Sequence, residues 1–158
     1  MSKVVLINTA FNNGAQYRFD IYPPLGLLYI ASSLTNAGFE VAFIDPQTDL
    51  DYMEKIDSEV IDGSPLYVGF TTFMGDNIKN LLSFINYIKD RVPHVPIVCG
   101  GPLATSDPEL CFKEAPVDLI VMGMGEECAV LIAERIQNGG DLTTIPYVSS
   151  NINNQIDI

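Results

Sequence analysis

The chain has 158 residues, 47% of them hydrophobic, with a formal net charge of −12. That length points to one domain, able to bury roughly 70% of its unfolded surface, and the composition argues against general disorder. Eight scattered Lys and Arg against 20 Asp and Glu argue against nucleic acid as a partner, since phosphate binding needs clustered positive charge.

The longest apolar runs, such as residues 24–31, fall far short of the ~20 residues of a membrane span, so no membrane partner is expected. The N-terminus reads directly as a strand rather than as a signal peptide, and a cytoplasmic location follows as the expectation. Cys99, Cys111 and Cys128 have neither CxxC nor CxxxCxxC spacing. Reduced, mostly buried thiols are expected in place of a disulfide framework, a zinc site or an iron–sulfur cluster.

Strand and helix alternate along the chain. Residues 3–8 form a first strand, followed by an irregular polar loop over 9–22. Pro23 and Pro24 open a helix that runs to about residue 37, where Gly38 suits the far end. A second strand covers 40–45, and a helix of mixed charge covers 50–61. The third strand is 66–72. The helix at 77–91 is amphipathic, with Ile78, Leu81, Leu82, Ile85 and Ile88 on one face. A fourth strand at 95–99 leads into a short helix near 108–114, and a fifth at 118–122 into a helix at about 126–138. Residues 145–149 read as a short edge strand, and the polar stretch from 151 to 158 as the start of a linker to a further domain, which leaves 1–150 as the folded unit.

Strands this apolar on both faces belong in a parallel sheet covered by helices on two sides. Five βα units with right-handed crossovers fit an α/β, doubly wound five-stranded parallel sheet of order 2-1-3-4-5. In such a sheet, ligands bind at the carboxyl edge. Two glycine turns reach that edge, Gly100-Gly101 after the fourth strand and Gly123-Met-Gly after the fifth.

Residue types at this edge exclude several ligand classes. The segment after the first strand, Asn8-Thr-Ala-Phe-Asn-Asn-Gly, is not GxGxxG, and no P-loop is present. Asn8, Thr72 and Gly123 stand where a phosphoacceptor receiver domain needs two acids and a lysine. A flavodoxin needs a hydroxyl-rich phosphate loop after the first strand, where only Thr9 is present. What remains is an uncharged edge. Asn8, Thr9, Thr71, Thr72, Thr105 and Ser106 make it polar, and Phe73, Met74, Leu103 and Met122 give apolar contact. It suits a large, flat, amide-decorated ligand. His94, between two prolines, lies at the opposite edge as a solvated turn residue, and Glu126 and Glu127 suit the N-terminus of the last helix.

Five motifs stand in order: Pro-Pro-Leu-Gly-Leu-Leu-Tyr-Ile-Ala-Ser-Ser-Leu (23–34), Ala-Gly-Phe-Glu-Val (37–41), Val-Gly-Phe-Thr-Thr (68–72), Val-Pro-Ile-Val-Cys-Gly-Gly-Pro (95–102) and Met-Gly-Met-Gly-Glu-Glu (122–127). Together they resemble the N-terminal cobalamin-binding domain of cobalamin-dependent radical S-adenosylmethionine enzymes, over residues 3 to about 150. The resemblance implies a flavodoxin-like domain with the corrinoid over the carboxyl edge and its nucleotide tail inserted beside the sheet. By position, Thr71, Thr72 and Phe73 would line the tail slot. Gly100, Gly101 and Pro102 would let the tail pass close to backbone, with Leu103 beside them at the site, and Gly123, Gly125 and Glu126 would close the other wall. Asn8, Thr9, Ala10 and the turn of Pro24, Leu25 and Gly26 would face the corrin. A side chain at Gly101 is expected to fill the slot and leave the helices intact.

Two departures from related patterns matter. The DxHxxG motif that gives cobalt a histidine ligand in many cobalamin proteins is missing, which implies base-off binding with no histidine ligand. Leu103 stands where relatives often have histidine after Gly-Gly-Pro. Without CxxxCxxC, S-adenosylmethionine and an iron–sulfur cluster would sit only in a C-terminal radical domain of the same parent chain. No residue here is a general base or nucleophile, so the implied methyltransferase chemistry would rest on the cofactor. The alternative is a non-binding scaffold or interaction domain of the same lineage.

Overall fold

The computed structural model describes residues 2–10, 23–72, 77–152 and 155–157. Strands β1 (Lys3–Ile7), β2 (Glu40–Ile44), β3 (Val68–Thr71), β4 (Ile97–Gly100) and β5 (Leu119–Val121) are joined by β6 (Val148–Ile152) and β7 (Gln155–Asp157) in one sheet of order β2-β1-β3-β4-β5-β6-β7. β1 to β5 pair in parallel, whereas β5–β6 and β6–β7 are antiparallel. The doubly wound order expected from the sequence is therefore present, in a flavodoxin-like α/β fold with an antiparallel extension.

That extension differs in detail from expectation. Residues 145–147 form a turn, with Tyr147 at φ +61°, and the strand begins only at Val148. Asn151 and Ile152, expected in a linker, continue β6, and residues 155–157 return along it. Their polar composition hid a strand that β5 demands. The outer edge of β5 needs backbone partners, which any sequence can supply. Ser149 and Ser150 answer Ile120 and Leu119, and both serines are buried.

Helices cover both faces. α1 (Leu25–Asn36) and α6 (Glu126–Asn138) lie on one side, where Leu27, Leu34, Ala129 and Ile132 pack against Val4, Leu6, Tyr67, Val98 and Leu119. On the other side lie α2 (Tyr52–Ile56), continued by a π-helical turn over Asp57–Ile61, then α3 (Asn77–Lys89), α4 (Pro102–Ser106) and α5 (Pro108–Glu114). Leu81, Phe84, Ile85 and Ile88 of α3 and Phe112 of α5 pack there against Val5, Ile7, Phe70, Ile97 and Ile120. The single turn of α4, unexpected from the sequence, starts on Pro102, whose missing N–H costs nothing in a first helical turn. Asp107 ends it and caps α5, its side chain accepting from the Leu110 amide at 3.0 Å.

Two polar pins hold the strand ends. At the amino edge, the Asp118 carboxylate accepts from the Ile97 amide at 2.6 Å and from Lys89 Nζ at 2.7 Å. At the carboxyl edge, the buried Thr72 hydroxyl donates to the Gly100 carbonyl at 2.8 Å and accepts from the Ala104 amide at 3.0 Å. Thr72 thus caps the first turn of α4 from a neighbouring strand.

Cys99, Cys111 and Cys128 are free and buried. Burial pushes all three thiols up, so the reactive thiolate is disfavoured at each. A chromogenic disulfide reagent should react with none of them in the folded protein and with all three in guanidinium. Thr72→Val, nearly isosteric, orphans the Ala104 amide and should lower unfolding free energy by about 1–2 kcal/mol in a denaturant titration.

Candidate functional site

Alternation along the strands decides which residues face α1 and α6. Leu6 of β1, Gly69 and Thr71 of β3, Val98 and Gly100 of β4 and Val121 of β5 all reach that side. Parallel register sets Leu6 beside Gly69 and Gly69 beside Val98 in one row, and Thr71 beside Gly100 in the next row towards the carboxyl edge. Gly100 supplies no side chain to a face that is otherwise filled, whereas at Gly69 the Leu6 side chain leans into the vacant position, where a Cβ would lie 2.7 Å from Leu6 Cδ2. The result is a cleft of about 290 Å³ between the sheet and the two helices. α1 contributes Gly26, Leu27 and Ile30 to its wall, and α6, with the loop before it, contributes Met124, Gly125, Glu126 and Ala129.

The glycines around the cleft do different work. A Cβ at Gly26 would meet no atom within 4 Å, and one at Gly100 would touch only Val121 at 3.6 Å. Both positions are open towards the cleft. Gly101 is another matter. Its φ is +100°, and a Cβ would lie 2.9 Å from Thr71 Oγ1 and 3.0 Å from the Thr72 nitrogen and oxygen. The expectation that a side chain at Gly101 would enter the slot is therefore corrected: it would collide with the end of β3. Gly123, at φ +80°, turns the chain from β5 towards α6.

Of the residues expected at the site, the cleft brings together Gly26, Thr71, Gly100, Gly101, Gly123, Gly125 and Glu126. It does not bring in the others. Leu103 is buried in the core on the opposite face, because α4 packs back onto that side of the sheet. Thr72 is committed to the β4–α4 junction. Asn8 and Thr9 are buried at the end of β1 and tied inward, Asn8 Nδ2 donating to Asp45 at 3.0 Å and Thr9 Oγ1 to the Thr71 carbonyl at 3.0 Å. The Asn8 side-chain oxygen is also occupied, by the Ala10 amide. Pro24, Leu25 and Pro102 precede or follow cleft residues without lining the cleft, and Leu25 is 61% exposed. Phe73 and Met74 lie outside the described residues.

Chemically the lining of the cleft is mostly apolar. Among the described residues its ionisable side chains are Glu126 and Tyr67, and Tyr67 is buried with its hydroxyl donating to the Ala129 carbonyl at 3.1 Å. Burial pushes that phenol far up, so it stays neutral. Among the described residues, no group of three or more His, Cys, Asp and Glu could hold a metal ion, and no helix is long and apolar enough to cross a membrane.

A glycine-floored cleft at the carboxyl edge of this sheet agrees with the sequence comparison: the B12 binding domain family matches residues 15–133. The chain belongs to that family. The resemblance drawn from the five motifs holds. This B12-binding domain is 29% identical, over 141 residues, to the anaerobic magnesium-protoporphyrin IX monomethyl ester cyclase of Synechocystis, covering 85% of this chain and 27% of the cyclase. Its fold matches the radical S-adenosylmethionine methyltransferase TsrM from Kitasatospora setae, solved with cobalamin and a 4Fe-4S cluster, at a TM-score of 0.82 and 23% identity over 99% of this chain and 28% of that one. The cobalamin-dependent radical enzyme OxsB, with aqua-cobalamin and S-adenosylmethionine, gives 0.78 and 18% over 99% and 22%. The chain thus spans about a quarter of the length of these proteins.

Sequence reasoning missed Leu6, Leu27, Ile30, Tyr67, Gly69, Val98, Met124 and Ala129 of this B12-binding domain. Gly69 carried a usable signal, since glycine inside an apolar strand marks a bulge or a close approach. The aliphatic residues carried none, because a residue lining a cleft and one filling a core look alike until strand pairing is known. Gly101→Ala should cost about 1–3 kcal/mol of stability in denaturant unfolding, from strain and collision. Gly100→Ala, one residue earlier, should be neutral or add up to ~1 kcal/mol.

Proposed function

We propose that this chain binds cobalamin, with the nucleotide tail in the cleft and the corrin over the carboxyl edge. The observation that carries this reading is the cleft itself, opened against an apolar sheet face by the missing side chains of Gly100 on the sheet and Gly26 on α1. At about 290 Å³ it lies near the small end of ligand pockets, which run to roughly 300–1,000 Å³. That space suits a bicyclic base and part of its sugar, and leaves the macrocycle outside. Gly26 and Gly100 admit the tail, Leu6, Val98 and Val121 give a flat base apolar contact, and Thr71 and Glu126 offer polar partners to the tail's hydroxyls. When bound, cobalamin supplies a cobalt centre that can accept and pass on a methyl group.

With the tail in the cleft, binding would be base-off and without a histidine ligand. His94, the one histidine of the sequence, precedes β4 at the amino edge, away from the cleft. The names of the relatives support the wider reading that this domain is the N-terminal module of a cobalamin-dependent radical S-adenosylmethionine methyltransferase. S-adenosylmethionine and the iron–sulfur cluster would then be held by a radical domain of the same parent chain, the partner this module faces. Three free thiols agree with a reducing, cytoplasmic compartment.

Purified chain mixed with hydroxocobalamin and desalted should keep the corrin absorption. Cobinamide, which lacks the base and nucleotide, should bind on the order of tenfold to a hundredfold more weakly, from ~25 cal/mol for each Å² of apolar burial lost. Gly26→Leu and Gly100→Val should reduce retention of cobalamin to the cobinamide level with unchanged circular dichroism. Complete loss of colour from correctly folded wild-type chain would overturn the proposal and leave the scaffold reading.

A further inference from the structure

We infer that the inner end of the cleft sorts corrinoids by the base on their tail, favouring a methylated benzimidazole over a purine; this rests on the cobalamin reading above. The inner row is made by Leu6 and Val98 from the sheet, Leu27 and Ile30 from α1, and Ala129 from α6, with the Leu6 side chain leaning over Gly69 towards Val98. None of these side chains carries a hydrogen-bond donor. Tyr67 is the polar side chain at that end, and its hydroxyl hydrogen is committed to the Ala129 carbonyl. The peptide groups of β3 lie in the ladder between β1 and β4. The remaining polar side chains lie nearer the mouth. Thr71 is one row towards the carboxyl edge from Gly69, and Glu126 is the first residue of α6, nearly a full turn ahead of Ala129.

Bases differ sharply in what they would bring into such a space. A purine joined to its sugar through one ring nitrogen keeps three other ring nitrogens and, in adenine, an exocyclic amine. Dimethylbenzimidazole keeps a single ring nitrogen and presents two methyl groups. Ring nitrogens are acceptors and need donors, which the inner row lacks, and a polar atom desolvated without a partner is disfavoured. Methyl groups placed against Leu6, Ile30 and Val98 gain from the same surroundings. An apolar pocket discriminates against an added polar group by about tenfold to a hundredfold, and that sets the scale expected here.

The test is equilibrium dialysis of the 158-residue chain against hydroxocobalamin and against its analogue carrying adenine in place of dimethylbenzimidazole. The expected result is a Kd ratio of about tenfold or more in favour of the benzimidazole. Val98→Thr keeps the side-chain shape and adds one donor to the inner row, so it should shrink that ratio, chiefly by tightening the adenine form. Ala129→Ser serves the same purpose from α6 if the strand variant fails to fold. Equal affinities, or a preference for adenine, would overturn the selectivity and leave cobalamin binding standing. Binding of neither corrinoid would overturn both. A ratio unmoved in variants that unfold at the wild-type temperature would put the base elsewhere and overturn the inference.

Discussion

Gly101 lies so close to the end of β3 that a single added carbon would press on Thr71 and Thr72, and the layout of the whole carboxyl edge depends on that approach. With its backbone in the left-handed region, the chain leaving β4 turns sharply and is caught by Thr72, which bonds to Gly100 on one side and to the first turn of α4 on the other. α4 is thereby sent to the face already occupied by α3 and α5, where Leu103 and Ala104 are buried. Nothing from this crossover covers Gly100 on the other face. The cleft exists because the polypeptide goes the other way.

Leaving a gap between a sheet and its helices sacrifices contact, since an interior at native density has few voids larger than a water molecule. The structure offsets this deeper in the same layer. Leu34 of α1 and Ile132 and Ala133 of α6 are fully buried with Val4 and Leu119, so the two helices are clamped together and to the sheet well below the opening. At the mouth the apolar packing thins out, and Gly26 and Gly125 add no side chains to the wall. A firm base and an open rim are what a site needs if it is to be rigid and still accept a bulky group.

Much of the fold was legible because hydrophobic periodicity and glycine–proline punctuation are local. The strand order, the amphipathic face of α3, and the span of α5 and α6 could all be read from the chain. The edge strand was legible only in outline, since β6 is built from Ser149, Ser150 and Asn151 and owes its place to the backbone demand of β5. Within the site, the turns announced themselves through Gly100, Gly101, Gly123 and Gly125. Leu103 misled, because its place after Gly-Gly-Pro in the motif put it at the slot, whereas the turn at Gly101 directs α4 and Leu103 into the opposite core. Leu6, Val98 and Ala129 were hidden in ordinary apolar runs. Their grouping is a product of register, which sequence alone does not express.

Tyr67 has a consequence that its modest hydrogen bond conceals. The phenol reaches from the start of β3 to the Ala129 carbonyl of α6, spanning sheet and helix with a stiff aromatic ring. Aliphatic side chains would let α6 settle onto the sheet by changing rotamers, whereas a ring anchored at both ends acts as a strut of set length. The separation of the two walls is therefore established when the chain folds. Little ordering is left for an incoming group to impose, so the entropy of shaping the chamber is charged against folding stability and not against affinity.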